Sequence, residues 1–390
     1  MVILPLAALL CGILLGIFSG LMPGIHSNTV ASVISELPIA PEMALYLIVA
    51  LLAAHLVFQF IPSIFLSIPD DTVVASVLPG HRLALEGRGR EALTVCIFSL
   101  AIAALASALL LPLALIFVPA IYSFIEPHVA PILIVASVFL LASEKKAEKT
   151  AIAAFVFLLA GLLGIASLRG AINDPLFPAF SGLFAASGIL LSFTSQQKLP
   201  VQKSEKTTLD FLPYVVAGIL FGGLSDLLPG IAAPAQIAVF ATALFSMDDA
   251  RKFLALVSSI AASHMVFAFG ALISIGKARE GALAIANQLK PIVPGDLPVL
   301  LGIFLFSLGV CALLVMLLSR HVRVFSEINV KALNLGILGY LVVMVGIISG
   351  AGGLLLFATS TAVGLLPPLL GVRRTHVMGL IIVPSILLAL

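Results

Sequence analysis

Long apolar runs separated by short polar breaks dominate the chain. They lie at about 43–66, 92–118, 129–143, 150–168 and 176–193, and again at about 253–275, 297–319, 332–349, 351–369 and 377–390. A helix that crosses the hydrocarbon core of a bilayer needs about 20 apolar residues, so these runs predict about ten crossings. The alternating apolar and polar pattern of a membrane β-barrel is absent, which makes the class all-α. Two further segments, 3–40 and 211–246, are each interrupted by Pro-Gly. Proline and glycine together end a helix. Each segment reads as a re-entrant hairpin with its tip near the midplane, where irregular backbone is tolerated only inside protein or beside water.

Composition narrows the function classes. Of 390 residues, 61% are hydrophobic and 10% charged, with a mean hydropathy of +1.25. A soluble domain is about half apolar and about a quarter charged. A soluble enzyme, a nucleic-acid binder and a disordered chain are therefore excluded, and the expectation is an integral plasma-membrane protein. The net charge of +2 asks for no acidic partner. Cys11, Cys96 and Cys311 all sit in apolar runs without a Cys or His neighbour, so neither a disulfide framework nor a metal site is expected.

The chain contains itself twice. Gly12-Ile-Leu-Leu-Gly-Ile-Phe-Ser-Gly-Leu-Met-Pro-Gly-Ile25 aligns with Gly218-Ile-Leu-Phe-Gly-Gly-Leu-Ser-Asp-Leu-Leu-Pro-Gly-Ile231, with nine of fourteen positions identical. Ala53-Ala-His-Leu-Val-Phe-Gln-Phe60 aligns with Ala262-Ser-His-Met-Val-Phe-Ala-Phe269. A weaker third match pairs Pro79-Gly80 with Pro294-Gly295. The first hydrophobic segment recurs mid-chain and has no basic residues before it, so it is expected to stay in the mature protein rather than act as a signal peptide. The predicted units are a first repeat, 1–195, a cytoplasmic linker, 196–210, and a second repeat, 211–390.

Lys and Arg mark the cytoplasmic side. With both Pro-Gly segments as hairpins, sixteen of the twenty basic residues fall on one face; Arg169, Lys277, Arg279 and Lys290 do not. Five crossings per half is an odd number, so the two repeats are predicted to be inverted, with both termini outside. Inverted repeats with interrupted helices around a midplane site describe secondary transporters.

Three constellations could carry chemistry. After Pro23-Gly24 a helix restarts at His26, Ser27, Asn28 and Thr29. Free amides and a positive dipole end favour an anion there, although a plain helix cap has the same appearance. The second-repeat counterpart keeps Gly230 and offers Gln236, with Asp226 just before the break. His55 and His264 occupy matching positions in apolar spans, with Gln59 one turn after His55. Intramembrane ionisable residues usually face the interior and serve function, while packing alone is the other reading. Asp70, Asp71, His81 and Arg82 border short apolar pieces, and together with Asp226 they are candidates for coupling-ion binding or gating. No catalytic motif, Walker A or zinc motif occurs, so no enzyme activity, catalytic residue or metal is expected.

Gly-x-x-Pro-Gly-x-x-x-Asn-Thr at 20–29, Ile-Pro-Ser-Ile-Phe-Leu-Ser-Ile-Pro-Asp-Asp at 61–71 and the stretch from Pro79 to Leu93 resemble the large permease subunit of tripartite tricarboxylate transporters. Asp70-Asp71 stand where that family has Gly-Thr, as in a short, divergent branch. The resemblance implies uptake of a small organic anion of carboxylate type by alternating access, coupled to Na⁺ or H⁺. It also implies a small membrane subunit and an extracytoplasmic binding protein as partners, and no cofactor. Two re-entrant hairpins would equally suit a translocase of polyprenyl-phosphate or a similar anionic lipid. An intramembrane enzyme is the third alternative.

Overall fold

Apolar sequence becomes helix, and among the described residues there is no strand. The computed structural model describes residues 3–22, 25–66, 77–144, 146–193, 200–203, 208–227, 237, 249–319 and 330–390. The first half runs α1 (Ile3–Leu21), α2 (Ser27–Ser35), α3 (Pro41–Phe58), α4 (Phe60–Leu66), α5 (Val77–Leu85), α6 (Gly89–Ile125), α7 (Val129–Ala142) and α8 (Ala147–Arg169). Then α9 (Leu176–Phe180) and α10 (Ser187–Ser192) are joined by a π-helical turn, Ser181–Ala186. The second half runs α11 (Leu212–Ser225), α12 (Ala250–Ile275), α13 (Gly281–Leu289), α14 (Leu297–Leu318), α15 (Val330–Leu370) and α16 (Gly379–Ala389).

Seven apolar stretches among the described residues are long enough to cross a membrane. Two of them, Pro41–Leu66 and Ala250–Ile275, are almost wholly buried and form the centre of the bundle. The others keep apolar faces outward, with Leu109, Phe124 and Ile347 exposed. An apolar surface of this extent suits a lipid environment. The expected division of 332–369 into two spans appears as a break inside α15. Gly350 adopts φ 65°, a left-handed conformation that suits glycine. A Cβ on Gly346 would lie 3.7 Å from Leu354 Cδ1. Eight residues of straight helix rise about 12 Å, so the chain folds back at Gly350.

The internal duplication is visible in the packing. Gly12 of α1 meets Leu47 O and Ala50 of α3, and Gly16 meets Leu51 O and Ala54. In the second half Gly218 of α11 meets Leu256 O and Ser259 of α12, and Gly222 meets Ile260 O and Ser263. These are the same contacts displaced by the repeat. A Cβ on Gly222 would stand 2.5 Å from Ser263 Cβ, so the small residue permits the close approach.

In both pairs residue numbers rise together, so α1 runs parallel to α3 and α11 parallel to α12. The end of α1 therefore sits level with His55 and Phe58, inside the Pro41–Leu66 stretch and not at its end. At 19 residues α1 is longer than half a crossing, while α2 has only nine.

A second set of paired contacts went unseen in the sequence. Gly379 packs on Phe157 O, and Gly182 packs on Phe357 O. Gly164 packs on Leu380 O, and Gly364 on Leu183 O. Thus α8 of the first half holds α16 of the second, and the second arm of α15 holds the π-turn of the first. The central helices exchange in the same way: α6 packs on α12, and α14 packs on α3. The proposed match of Pro79-Gly80 with Pro294-Gly295 does not hold in position, because the first pair lies inside α5 and the second in a 3-10 turn before α14.

Polar straps tie the helix ends. Gln202 accepts from Gly89 N at 2.8 Å and donates to Ala84 O at 3.0 Å, and Lys203 N donates to Gly87 O at 2.7 Å. Arg251 pairs with Asp249 at 2.7 Å and Asp210 at 3.3 Å, and reaches Glu91 at 3.6 Å. Elsewhere Glu144 lies 2.7 Å from His376 Nε2 and accepts from Arg373 N at 2.9 Å, while Lys149 donates to Leu370 O at 2.6 Å.

Candidate functional site

The two buried central helices each hold a histidine against the helix beside it, α1 or α11. His55 Nδ1 lies 2.9 Å from Ser19 Oγ of α1. His264 Nδ1 lies 3.1 Å from Ser225 Oγ of α11. Each serine also donates to a carbonyl of its own helix, Ser19 to Gly16 O at 3.2 Å and Ser225 to Gly222 O at 2.5 Å. With its proton used there, each serine oxygen accepts from the imidazole. This arrangement suits the tautomer with the proton on Nδ1. Ser19 and Ser225 are identical positions of the fourteen-residue repeat, so the signal was in the sequence but was not used.

The first-half site continues into α2. His26 is the N-cap of α2, and its Nδ1 accepts from Asn28 N at 3.1 Å. Its ring stands edge-on to His55 with centroids 5.8 Å apart. Ser27 is buried beneath it. The Asn28 side chain lies against the start of α13, where a Cβ on Gly281 would stand 2.6 Å from Asn28 Nδ2. Thr29 follows in the first turn, with its N–H on His26 O at 3.1 Å. Gln59 sits buried at the junction of α3 and α4 and donates to Leu56 O at 3.3 Å.

The second-half site is more highly charged. Asp226, the C-cap of α11, occupies the place of Gly20 in the first half and brings Oδ1 to 3.0 Å from His264 Nδ1. After α12 the chain turns at Gly276, in the left-handed conformation, and runs back toward the centre. This return places Glu280 Oε2 3.9 Å from His264 Nε2. Arg279 donates to Asp226 O at 2.9 Å and lies over the Tyr122 ring of α6, 5.9 Å from its centroid. Glu280 and Arg279 were not among the predicted residues. Their one mark in the sequence is a charged pair soon after an intramembrane histidine.

His81 and Arg82 lie apart from this centre. His81 Nδ1 is 3.0 Å from Ile64 O, beside α4. Arg82 is 77% exposed and pairs with Glu86 at 3.0 Å. Gly24, Asp70, Asp71, Gly230 and Gln236 lie outside the described residues. The expected meeting of the helix starts after Gly24 and Gly230 is therefore not observable. The junction observed instead is between the starts of α2 and α13, one from each half. Among the described residues no group of three or more His, Cys, Asp or Glu has the arrangement of a metal site.

The family of tripartite tricarboxylate transporter TctA proteins matches the chain over residues 6–379. The chain belongs to that family. This TctA-family protein is accordingly an integral membrane transporter of the tricarboxylate transport class and not an enzyme. It is also similar to an uncharacterized protein of Methanocaldococcus jannaschii, MJ1079, with 29% identity over 405 aligned residues covering 98% of both chains. No solved structure matches it.

Proposed function

We propose that this protein is the ion-coupled permease for a small organic anion of carboxylate type, working by alternating access between two inverted repeats. The observation that carries the reading is the junction of the two halves inside an apolar bundle. Asn28 at the start of α2 abuts Gly281 at the start of α13, with His26 and His55 on one side and His264 and Arg279 on the other. Helix starts present free amides and partial positive charge. Asn28 and Thr29 add neutral donors that orient an anion without holding it too tightly to release. The family's transport class agrees with a carboxylate rather than a lipid phosphate. The structure offers no argument for the lipid alternative.

The reading includes both termini outside and the 196–210 segment inside, with the two repeats in opposite orientation. Support comes from basic clusters meeting one another: Lys203 and Arg251 join the α5–α6 turn, and Lys149 and Arg373 join the turn between α7 and α8. Partnership with a small membrane subunit and an extracytoplasmic binding protein follows from the family name. The test is uptake of radiolabelled citrate and smaller carboxylates into proteoliposomes holding the purified protein. Carboxylate uptake that collapses with an ionophore supports the reading. Uptake of a neutral or cationic solute alone refutes it.

A further inference from the structure

Resting on that reading, we propose that the gap between His264 Nε2 and Glu280 Oε2 is the seat of the coupling ion, and that this ion is a proton. The hydrogen-bond pattern leads there. Ser225 donates to Gly222 O, which leaves its Oγ to accept from Nδ1–H of His264 at 3.1 Å, with Asp226 Oδ1 3.0 Å from the same nitrogen. Nε2 of the neutral ring is then a lone pair, and it faces a carboxylate oxygen 3.9 Å away. Two acceptors then face each other across 3.9 Å. One proton, held by either, turns the repulsion into a charge-assisted hydrogen bond.

Charge balance points the same way. Asp226, His264 and Glu280 are 2%, 2% and 6% exposed. The two carboxylates carry two negative charges against the single positive charge of Arg279. A buried surplus charge is costly, and one added proton removes it. Among the described residues, the charged and titratable groups around His264 are Asp226 on α11 and Arg279 and Glu280 on the return to α13. From α6 comes Tyr122, which lies under Arg279 and donates to Glu126 at 3.0 Å. The contact with α5 lies at the other end of α12, where Gly80 faces Leu254.

Glu280 immediately precedes Gly281, against which Asn28 packs. An anion bound at that junction would meet the unprotonated cluster as a like charge. Loading the proton removes that repulsion, so anion and proton are taken together. The first half has glycine where the second has Asp226, and its histidine meets Ser19 and His26.

The experiment is an infrared pH titration of the purified protein, paired with citrate-driven proton uptake in proteoliposomes. The wild type should show a protonated-carboxyl or imidazolium band that titrates and is insensitive to Na⁺. Glu280→Gln should lose that band and lose citrate-driven proton uptake; His264→Gln should likewise lose the band. Both variants are checked for monodispersity, and Glu280→Asp, which keeps a carboxylate, should regain part of the signal. A titration unchanged in both Gln variants, or one abolished by Na⁺, overturns the proposal. A titration lost as expected in a protein that neither binds nor exchanges citrate refutes the anion reading and leaves the proton seat standing.

Discussion

Ser225 Oγ lies 3.1 Å from His264 Nδ1, as Ser19 Oγ lies 2.9 Å from His55 Nδ1. A serine on α1 or α11 thereby holds the ring of the histidine on the helix beside it. Replacing Ser225 with Ala removes the acceptor that orients His264. A buried hydrogen bond contributes about 1 kcal/mol net, so uptake should fall about five-fold or more while folded protein remains in the membrane. Ser19→Ala should act in the same direction. Uptake by both variants in proteoliposomes equal to wild type would remove the serine–histidine pairs from the transport path.

The paired glycine contacts make a stability prediction. A Cβ at Gly164 or Gly364 meets the backbone carbonyl of Leu380 or Leu183. Backbone cannot swing aside as a side-chain end can, so each Gly→Ala change should destabilise by about 1–3 kcal/mol. The two variants should lose similar amounts of thermal stability because they occupy equivalent places. Gly302→Ala is the control, since nothing lies within 4 Å of its Cβ position. That variant should be neutral or slightly more stable, alanine being the better helix former.

How much of this was legible beforehand varied with the kind of constraint. The spans and the repeat around Gly12 and Gly218 could be read because hydropathy and a dense run of identities record them directly. The second set of repeated contacts could not. The contact residues Phe157, Gly164, Gly182 and Leu183 recur in Phe357, Gly364, Gly379 and Leu380, but the other identities, such as Ile189-Leu190-Leu191 with Ile386-Leu387-Leu388, are of the kind any apolar chain produces, and a close helix approach constrains the glycine while leaving its neighbours free. Glu280 escaped for a different reason. It reaches His264 only because Gly276 turns the chain and sends it back along α12, and hydropathy carries no trace of that turn.

Outside the membrane, the clasp at Glu144 predicts an acid response. Burial pushes its carboxyl up, but the Arg373 amide, the His376 ring and the Arg373 charge outweigh that and hold it below the usual carboxylate range. A carboxyl lowered on folding contributes stability above its unfolded value, and that contribution is lost as pH falls through its folded value. Thermal stability should therefore drop as pH falls below the ordinary carboxylate range. Glu144→Gln should begin lower at neutral pH and show a flatter acid limb. Parallel wild-type and variant melting curves across that range would contradict this.

Topology can be read chemically. A single cysteine at Ser204, in the segment between the two halves, should resist a membrane-impermeant maleimide in sealed cells and react after permeabilisation. Ready labelling from outside would overturn the inverted arrangement.

Calorimetric titration of the purified wild type and Asn28→Ala with citrate tests most directly whether a carboxylate binds where the two halves meet. The account predicts that the wild type binds citrate. It also predicts that Asn28→Ala, which removes a neutral donor at the start of α2, weakens binding about ten-fold, as expected for a lost hydrogen bond to a charged group. Citrate affinity that is identical in the two proteins, or a wild type that binds only neutral or cationic solutes, would contradict it.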